Sequence, residues 1–435
     1  MTLEFLSIKE VLLANHDMRI LWISNIQFPA TCDMLGIPHH VGGGWMYSLA
    51  MELLHSGEID LAVSTVYAGS VLTKNEIGRI RYYLIPKRES PLIYDRKLES
   101  YWEQVIKDYD PDIIHIHGTE YAYGLACMNA CPNRKYIISV QGLVSVYSEF
   151  YYAGIKCSDL LKTITINDIR RHDTVIQGKR KFERRGLLEH EYIKRTSQII
   201  GRTFWDYTHT KAINPEVNYH KCNEVLRSGF YESANWDLSG KTDYSLFVSQ
   251  AGYPIKGLHQ VLKAVSLVRN FFPKTSLKVA GVNILSKNRK WDRWSLNGYG
   301  LLLKKMVAKY ALNDCVTFLG PLNEQQMIEQ YLKAHAFICP SSIENSPNSV
   351  GEAQILGTPC IASFVGGIPD MVIHEKTGLL YRFEDYKMLA YLIMKVFSED
   401  DIARSLSAEG RNVAEQRHNR ENIKKRMLEI YKGII

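Results

Sequence analysis

Hydrophobic and polar positions fall into repeating blocks along most of the chain. Short apolar, β-branched runs are separated by longer amphipathic stretches. Arg19 to Asn25 (RILWISN), Leu61 to Val66, Tyr82 to Ile85, Asp112 to Gly118 (DIIHIHG), Tyr136 to Val140 and Ile199 to Thr203 each read as a buried strand. Leu92 to Tyr109 has helical periodicity and is stopped by Asp110-Pro111, because a residue before proline disfavours the helical region. Such alternation predicts an α/β domain built on a parallel, doubly wound sheet, with Ile199–Thr203 as its last strand. From Phe230 to Asp243 the pattern turns polar, and a linker is expected there. A second series follows, with strands over Tyr244–Ser249, Leu277–Ala280, Val316–Leu319, Ala336–Cys339 and Cys360–Ser363. The reading is thus two domains, 1–235 and 243–415, then a helical tail over 416–435. Met1 to Asp17 reads as a short leader, with Met18 as an alternative start.

One stretch concentrates the candidate chemistry: Pro340 to Gly357, PSSIENSPNSVGEAQILG. Glu344 and Glu352 are separated by seven residues, with Pro347 between them. The proline leaves Glu344 on a loop, and Glu352 falls in the first turns of a helix that starts near Asn348 or Ser349, both good N-caps. Both carboxylates then face the crevice at the carboxyl end of a parallel strand. Free N–H groups at the helix start favour a phosphate, and carboxylates accept from sugar hydroxyls. The plainer reading is two solvated glutamates beside a helix end. Upstream, His39, His40 and Gly42-Gly43-Gly44 open a helix from Trp45 to about His55, either as an anion-approach loop or as a tight packing turn. It is not GxGxxG and no acidic residue follows at the dinucleotide spacing, which argues against NAD. His117, Glu120 and Gln141 end their strands and are expected to face the cleft.

Composition changes the picture only at the edges. The 435 residues are 46% hydrophobic, enough for two or three cores. No stretch approaches the roughly 20 apolar residues that span a bilayer, and the N-terminus lacks a signal-peptide core. Eight scattered cysteines read as reduced thiols, hence a cytoplasmic setting. The net charge of +7 suits phosphorylated substrates or an anionic membrane; no nucleic-acid motif accompanies it. Tyr147–Tyr152 (YSEFYY) and Lys179–Arg185 (KRKFERR) read either as a solvated helix face or as a peripheral contact at the inner face of the membrane.

The Glu-x7-Glu spacing, followed by Gly357-Thr358-Pro359, Val365-Gly366-Gly367-Ile368-Pro369 and Thr377-Gly378-Leu379-Leu380, resembles the family 4 retaining glycosyltransferases. The stretch after Thr203 is similar to bacterial members that make surface polysaccharides. The resemblance implies a GT-B fold, two Rossmann-like doubly wound domains facing a cleft, with the last helix crossing back to the first domain. It implies transfer from a UDP- or GDP-sugar to a glycan or lipid-linked acceptor in capsule, O-antigen or exopolysaccharide synthesis. Lys256 of the Lys256-Gly257 pair would then hold the diphosphate, Glu352 the ribose diol and Glu344 the sugar hydroxyls. Asn345, Ser346, Pro347, Asn348, Ser349 and Gly44 would complete the donor site, with Gly320 and Leu322 at the base. Relatives often carry an Arg where this chain has Ser249-Gln250, and Arg202 is the substitute considered. Relatives often carry a His where this chain has Gln141, so either Gln141 is purely positional or His117 supplies the imidazole. The resemblance implies that Lys256 takes the place of a bound cation, and neither a metal nor another cofactor is expected. A nucleotide-sugar epimerase, a phosphorylase, or a non-catalytic nucleotide-sugar-binding partner are the rival readings.

Overall fold

A computed structural model describes residues 17–39, 43–87, 90, 92–281 and 296–435. The leader expected over Met1–Asp17 lies outside the described residues apart from Asp17, as do His40 and Gly42. The N-terminal sheet comprises β1 (Met18–Ser24), β2 (Ile59–Tyr67), β3 (Thr73–Ile77), β4 (Ile80–Pro86), β5 (Ile113–His117), β6 (Tyr136–Ser139), β7 (Gln198–Gly201) and β8 (Asn218–Lys221). Their order is β3-β4-β2-β1-β5-β6-β7-β8, and every pairing is parallel except the β3–β4 hairpin. The second sheet holds β9 (Ser245–Val248), β10 (Ser276–Ala280), β11 (Val316–Gly320), β12 (Ala336–Cys339), β13 (Cys360–Ser363) and β14 (Leu379–Tyr381). It is parallel throughout, in the order β11-β10-β9-β12-β13-β14. This is the two-domain GT-B architecture.

Three strands escaped the apolar pattern. β3 (TKNEI) is almost wholly exposed and β8 (NYHK) is polar, so neither carries a buried face for periodicity to detect. β8 also corrects the expectation that Ile199–Thr203 ends the first domain's sheet. β14 is only three residues long. The central strands, buried on both faces, were the legible ones.

Each sheet is covered on both sides by apolar clusters. The last helix, Arg420–Ile434, sends Met427, Leu428 and Tyr431 into the cluster beside β1. There the Trp22 indole N–H donates to the Tyr431 hydroxyl (2.9 Å), which also meets His115 Nδ1 (2.7 Å). The chain therefore does close back on its first domain. A second tie lies across the cleft. The Tyr147 hydroxyl accepts from the Asn345 N–H (2.8 Å), Ser342 Oγ donates to the Phe150 carbonyl (3.1 Å), and His259 Nε2 meets the Ala153 carbonyl (2.9 Å). The YSEFYY aromatics Tyr147 and Tyr151 consequently pack against Ile255 and Ile343 of the second domain, whereas Phe150 is exposed.

Strand order reverses at β1/β5 in one sheet and at β9/β12 in the other. Open α/β sheets bind ligands outside the carboxyl ends of strands at such points.

Candidate functional site

A cavity of about 500 Å³ opens at the β9/β12 reversal. Val248 at the end of β9, with Ser249 and Gln250 after it, lines the cavity; so do Ile338 and Cys339 at the end of β12, with Pro340, Ser341 and Glu344 after it. Pro321 and Leu322 after β11 form one end, and Gly43, Gly44 and Trp45 of the first domain face it. The volume is in the range of small-molecule and cofactor sites.

Glu344 and Glu352 both line this cavity and are mostly buried, so they are not solvated surface carboxylates. Glu344 sits on the loop after β12, as Pro347 dictates. Its Oε1 accepts from Lys256 Nζ (2.6 Å) and from Ser341 Oγ (2.7 Å). Lys256 arrives on a single 3-10 turn, Pro254–Lys256, ended by Gly257 at φ 68°. That left-handed residue also caps the helix Leu258–Val268, and a side chain there would strike the Pro340 carbonyl, so only glycine fits. Burial works against the Lys256 charge, but Glu344, Tyr253 and Tyr147 outweigh it and hold the amine above its usual range. An ammonium has three donors; Glu344 uses one.

Glu352 lies on the helix Asn348–Ile355. Burial pushes its carboxyl above the usual range, against the opposing pull of Arg227 and the Tyr331 hydroxyl. Arg227 Nε and Nη2 both donate to Glu352 Oε1 (3.1 and 2.7 Å). The N-cap is Pro347, not Asn348 or Ser349 as expected, and no side chain caps the helix. Proline has no side-chain oxygen to offer; its carbonyl takes the Val350 N–H (3.0 Å), and the Asn348 and Ser349 N–H groups on the cavity wall keep donors for a ligand. The Val365–Pro369 turn supports this loop: the Gly367 N–H donates to the Glu344 carbonyl (3.0 Å).

Several expected residues lie elsewhere. Asn345 turns away from the cavity: Thr203 Oγ1 donates to its Oδ1 (2.7 Å), and its Nδ2 donates to Asp206 Oδ2 (2.9 Å). Ser346 Oγ accepts from Arg417 Nη2 (3.1 Å). Arg202, considered as a phosphate cation, is buried against Glu224 (2.6 Å) and the Val140 and Gln141 carbonyls. Gly320 gives its carbonyl to the Gly281 N–H (2.9 Å), so Pro321 and Leu322 line the cavity instead. Its amide nitrogen buried and without a partner among the described residues, Gln141 lies near Arg202 and Asn345 rather than on the cavity wall. His117 ends β5 beside Ser24, stacked on His115 (3.9 Å between centroids) and tilted against Trp22 (4.4 Å), and neither ring nitrogen has a partner among the described residues. Burial pushes its pKa down to about 3. Trp45 lines both the main cavity and the small pocket holding His117, so it stands between them. Glu120, also expected in the cleft, accepts from Asn25 Nδ2 (3.2 Å).

Arg227 and Trp45 are the residues that sequence reasoning did not single out. Arg227's only signal is an isolated cation just before the polar linker, and its partner is 125 residues away.

Residues 232–413 match the family described as glycosyl transferases group 1. That match spans the second domain. A stretch of the chain is 32% identical over 151 residues to the amylovoran biosynthesis glycosyltransferase AmsK of Erwinia amylovora, covering 32% of this chain and 37% of the relative. The matched stretches span less than half the length of these curated relatives. Over 96% of the chain the fold is similar to sucrose-phosphate synthase from Thermosynechococcus elongatus (TM-score 0.69, 18% identity, 99% of that chain). It is also similar to Anabaena Alr3699/HepE, solved with UDP-glucose (TM-score 0.64, 14% identity, 96% of this chain and 100% of that one).

Proposed function

We propose that this chain is a retaining glycosyltransferase that moves a sugar from a nucleoside diphosphate sugar to a glycan or lipid-linked acceptor. The observation that carries the reading is the Lys256–Glu344 pair beside an uncapped helix N-terminus in a cleft at the β9/β12 reversal. Bond breaking builds negative charge on the diphosphate, and fixed donors aimed at developing charge are usually the largest catalytic term. Lys256, with two donors left among the described residues, and the N–H groups after Pro347 serve that charge. Glu352 takes the ribose diol and Glu344 the transferred sugar's hydroxyls, fixing orientation. In this reading the departing phosphate accepts the acceptor's proton on the same face, and Lys256 does the work of a bound metal. Gln141 and His117 stand behind the cavity wall and are assigned support of it, not contact with sugar.

UDP is the first base to test, because the Anabaena neighbour was solved with UDP-glucose; GDP is the second. A polysaccharide acceptor is supported by the amylovoran relative. No described helix is long and apolar enough to cross a membrane. Contact with an anionic inner face would rest on Arg180 and Arg184, exposed on the helix Val175–Arg195.

Product analysis of the purified chain with UDP- and GDP-sugars and an acceptor panel tests the reading. Transfer with retained anomeric configuration supports it. Isomerised donor points to an epimerase, and binding without turnover to a non-catalytic partner.

A further inference from the structure

A nucleoside diphosphate brings two phosphates into a cleft whose described lining carries two cations and two carboxylates. Lys256 and Arg227 are each paired with one carboxylate, Glu344 and Glu352, and Lys256 serves one phosphate. Ser249 and Gln250 follow β9 without a charge, and Arg202 is buried against Glu224 outside the cavity. The remaining cation is Arg227, on the segment that joins the two domains. It is a partner for the anion that no motif of the second domain supplies.

Three contacts fix its guanidinium. Nε and Nη2 hold Glu352, the plane sits over the Phe230 ring (4.8 Å to the centroid), and the side chain runs across Gly44. A Cβ on Gly44 would lie 3.0 Å from both Cγ and Cδ of Arg227, so this glycine makes room for the arginine. Nη1 makes no hydrogen bond within the described residues. A planar fork held on one edge and open on another is preorganised for a second oxyanion.

We propose that Arg227 is the second diphosphate-binding cation. It keeps Glu352 through Nε and Nη2 and presents Nη1 to the phosphate next to the ribose that Glu352 holds. One side chain then ties the ribose site to the phosphate site, and it is delivered by the interdomain crossing rather than by the strand β9 loop. This rests on the nucleotide-sugar reading above.

The test is isothermal titration of the full chain with UDP and uridine, and with GDP and guanosine. Arg227→Met is expected to weaken the diphosphate that the wild type prefers by about tenfold or more, with its nucleoside within about twofold. Arg227→Lys recovers part of the loss. Gly44→Ala, at a helical position where alanine is favoured, shows a smaller loss in the same direction with the fold intact. Should Arg227→Met unfold because Glu352 is left unpaired, Arg227→Met with Glu352→Gln is compared with Glu352→Gln alone. Equal losses for diphosphate and nucleoside would mean that Arg227 acts only through Glu352, and would overturn the proposal. So would unchanged affinity for both. A wild type that binds neither diphosphate removes the nucleotide-sugar reading itself, and this proposal with it.

Discussion

Asn345 sits inside the Glu-x7-Glu stretch yet serves the join between domains, and Asn345→Ala should expose that. The residue is 1% exposed, and Thr203 and Asp206 opposite it are equally buried. Alanine removes the acceptor for the Thr203 hydroxyl (2.7 Å) and a charge-assisted donor to Asp206 (2.9 Å). The weak 3.4 Å contact to the Gln141 carbonyl goes as well. Asp206 keeps the Arg202 N–H (2.9 Å) and the Tyr219 hydroxyl, so its carboxylate is not stripped. The Thr203 oxygen still accepts from the Asp206 N–H (3.1 Å), so only its donor is orphaned, at about 1–3 kcal/mol, beside a lost bond to a charged group at about 1.5–3 kcal/mol; with water partly filling the space, the net is roughly 2–4 kcal/mol. Because both bonds cross from the first domain to the second, the loss should fall on the closed arrangement. Thermal unfolding and hydrogen exchange read it together. The melting temperature should drop by several degrees, and amides around Thr203–Asp206 should exchange faster. Asn345→Asp, which sets a carboxylate against Asp206, should be worse. Unchanged melting and exchange in Asn345→Ala would refute the reasoning.

Three further outcomes are expected. Lys256→Ala should cost roughly 2–4 kcal/mol by leaving Glu344 without its partner, whereas Lys256→Met with Glu344→Gln should recover stability but not turnover; denaturant melts beside transfer assays check both. His117, lowered by burial from 6.5 to about 3, stabilises the fold fully above about pH 6.5 and loses that contribution as pH falls toward 3, at up to about 1.4 kcal/mol per pH unit. The urea midpoint of His117→Leu should therefore fall less steeply than wild type between pH 6.5 and 4, and parallel slopes would count against a buried neutral imidazole. Transfer should survive EDTA; complete loss restored by Mg²⁺ or Mn²⁺ would argue for a metal instead of Lys256.

Much of the fold was legible because its central strands are buried on both faces and announce themselves as apolar runs. The edge strands β3 and β8 have no buried face, so nothing in their sequence distinguishes them from loops. At the site, Glu344, Glu352 and Lys256 were readable from spacing and motif, since local chain geometry fixes them. Asn345 and Ser346 were misread because neighbours in sequence on a loop point in different directions; only tertiary contacts decide which faces the ligand. Arg227 was invisible for a related reason: its meaning lies in Glu352, a whole domain away. His117 ends its strand as expected and Gln141 lies two residues past β6, but Trp45 fills the space between His117 and the cleft.

The central claim is that the cleft at the β9/β12 reversal is the nucleotide site. Isothermal titration of UDP and GDP into wild type and Glu352→Ala tests it most directly. Wild type is expected to bind one of them at a single site, and Glu352→Ala to weaken it by about tenfold, the cost of an unpaired buried diol. Nucleotide affinity unchanged in Glu352→Ala and in Lys256→Ala alike would put the ligand elsewhere and contradict the account.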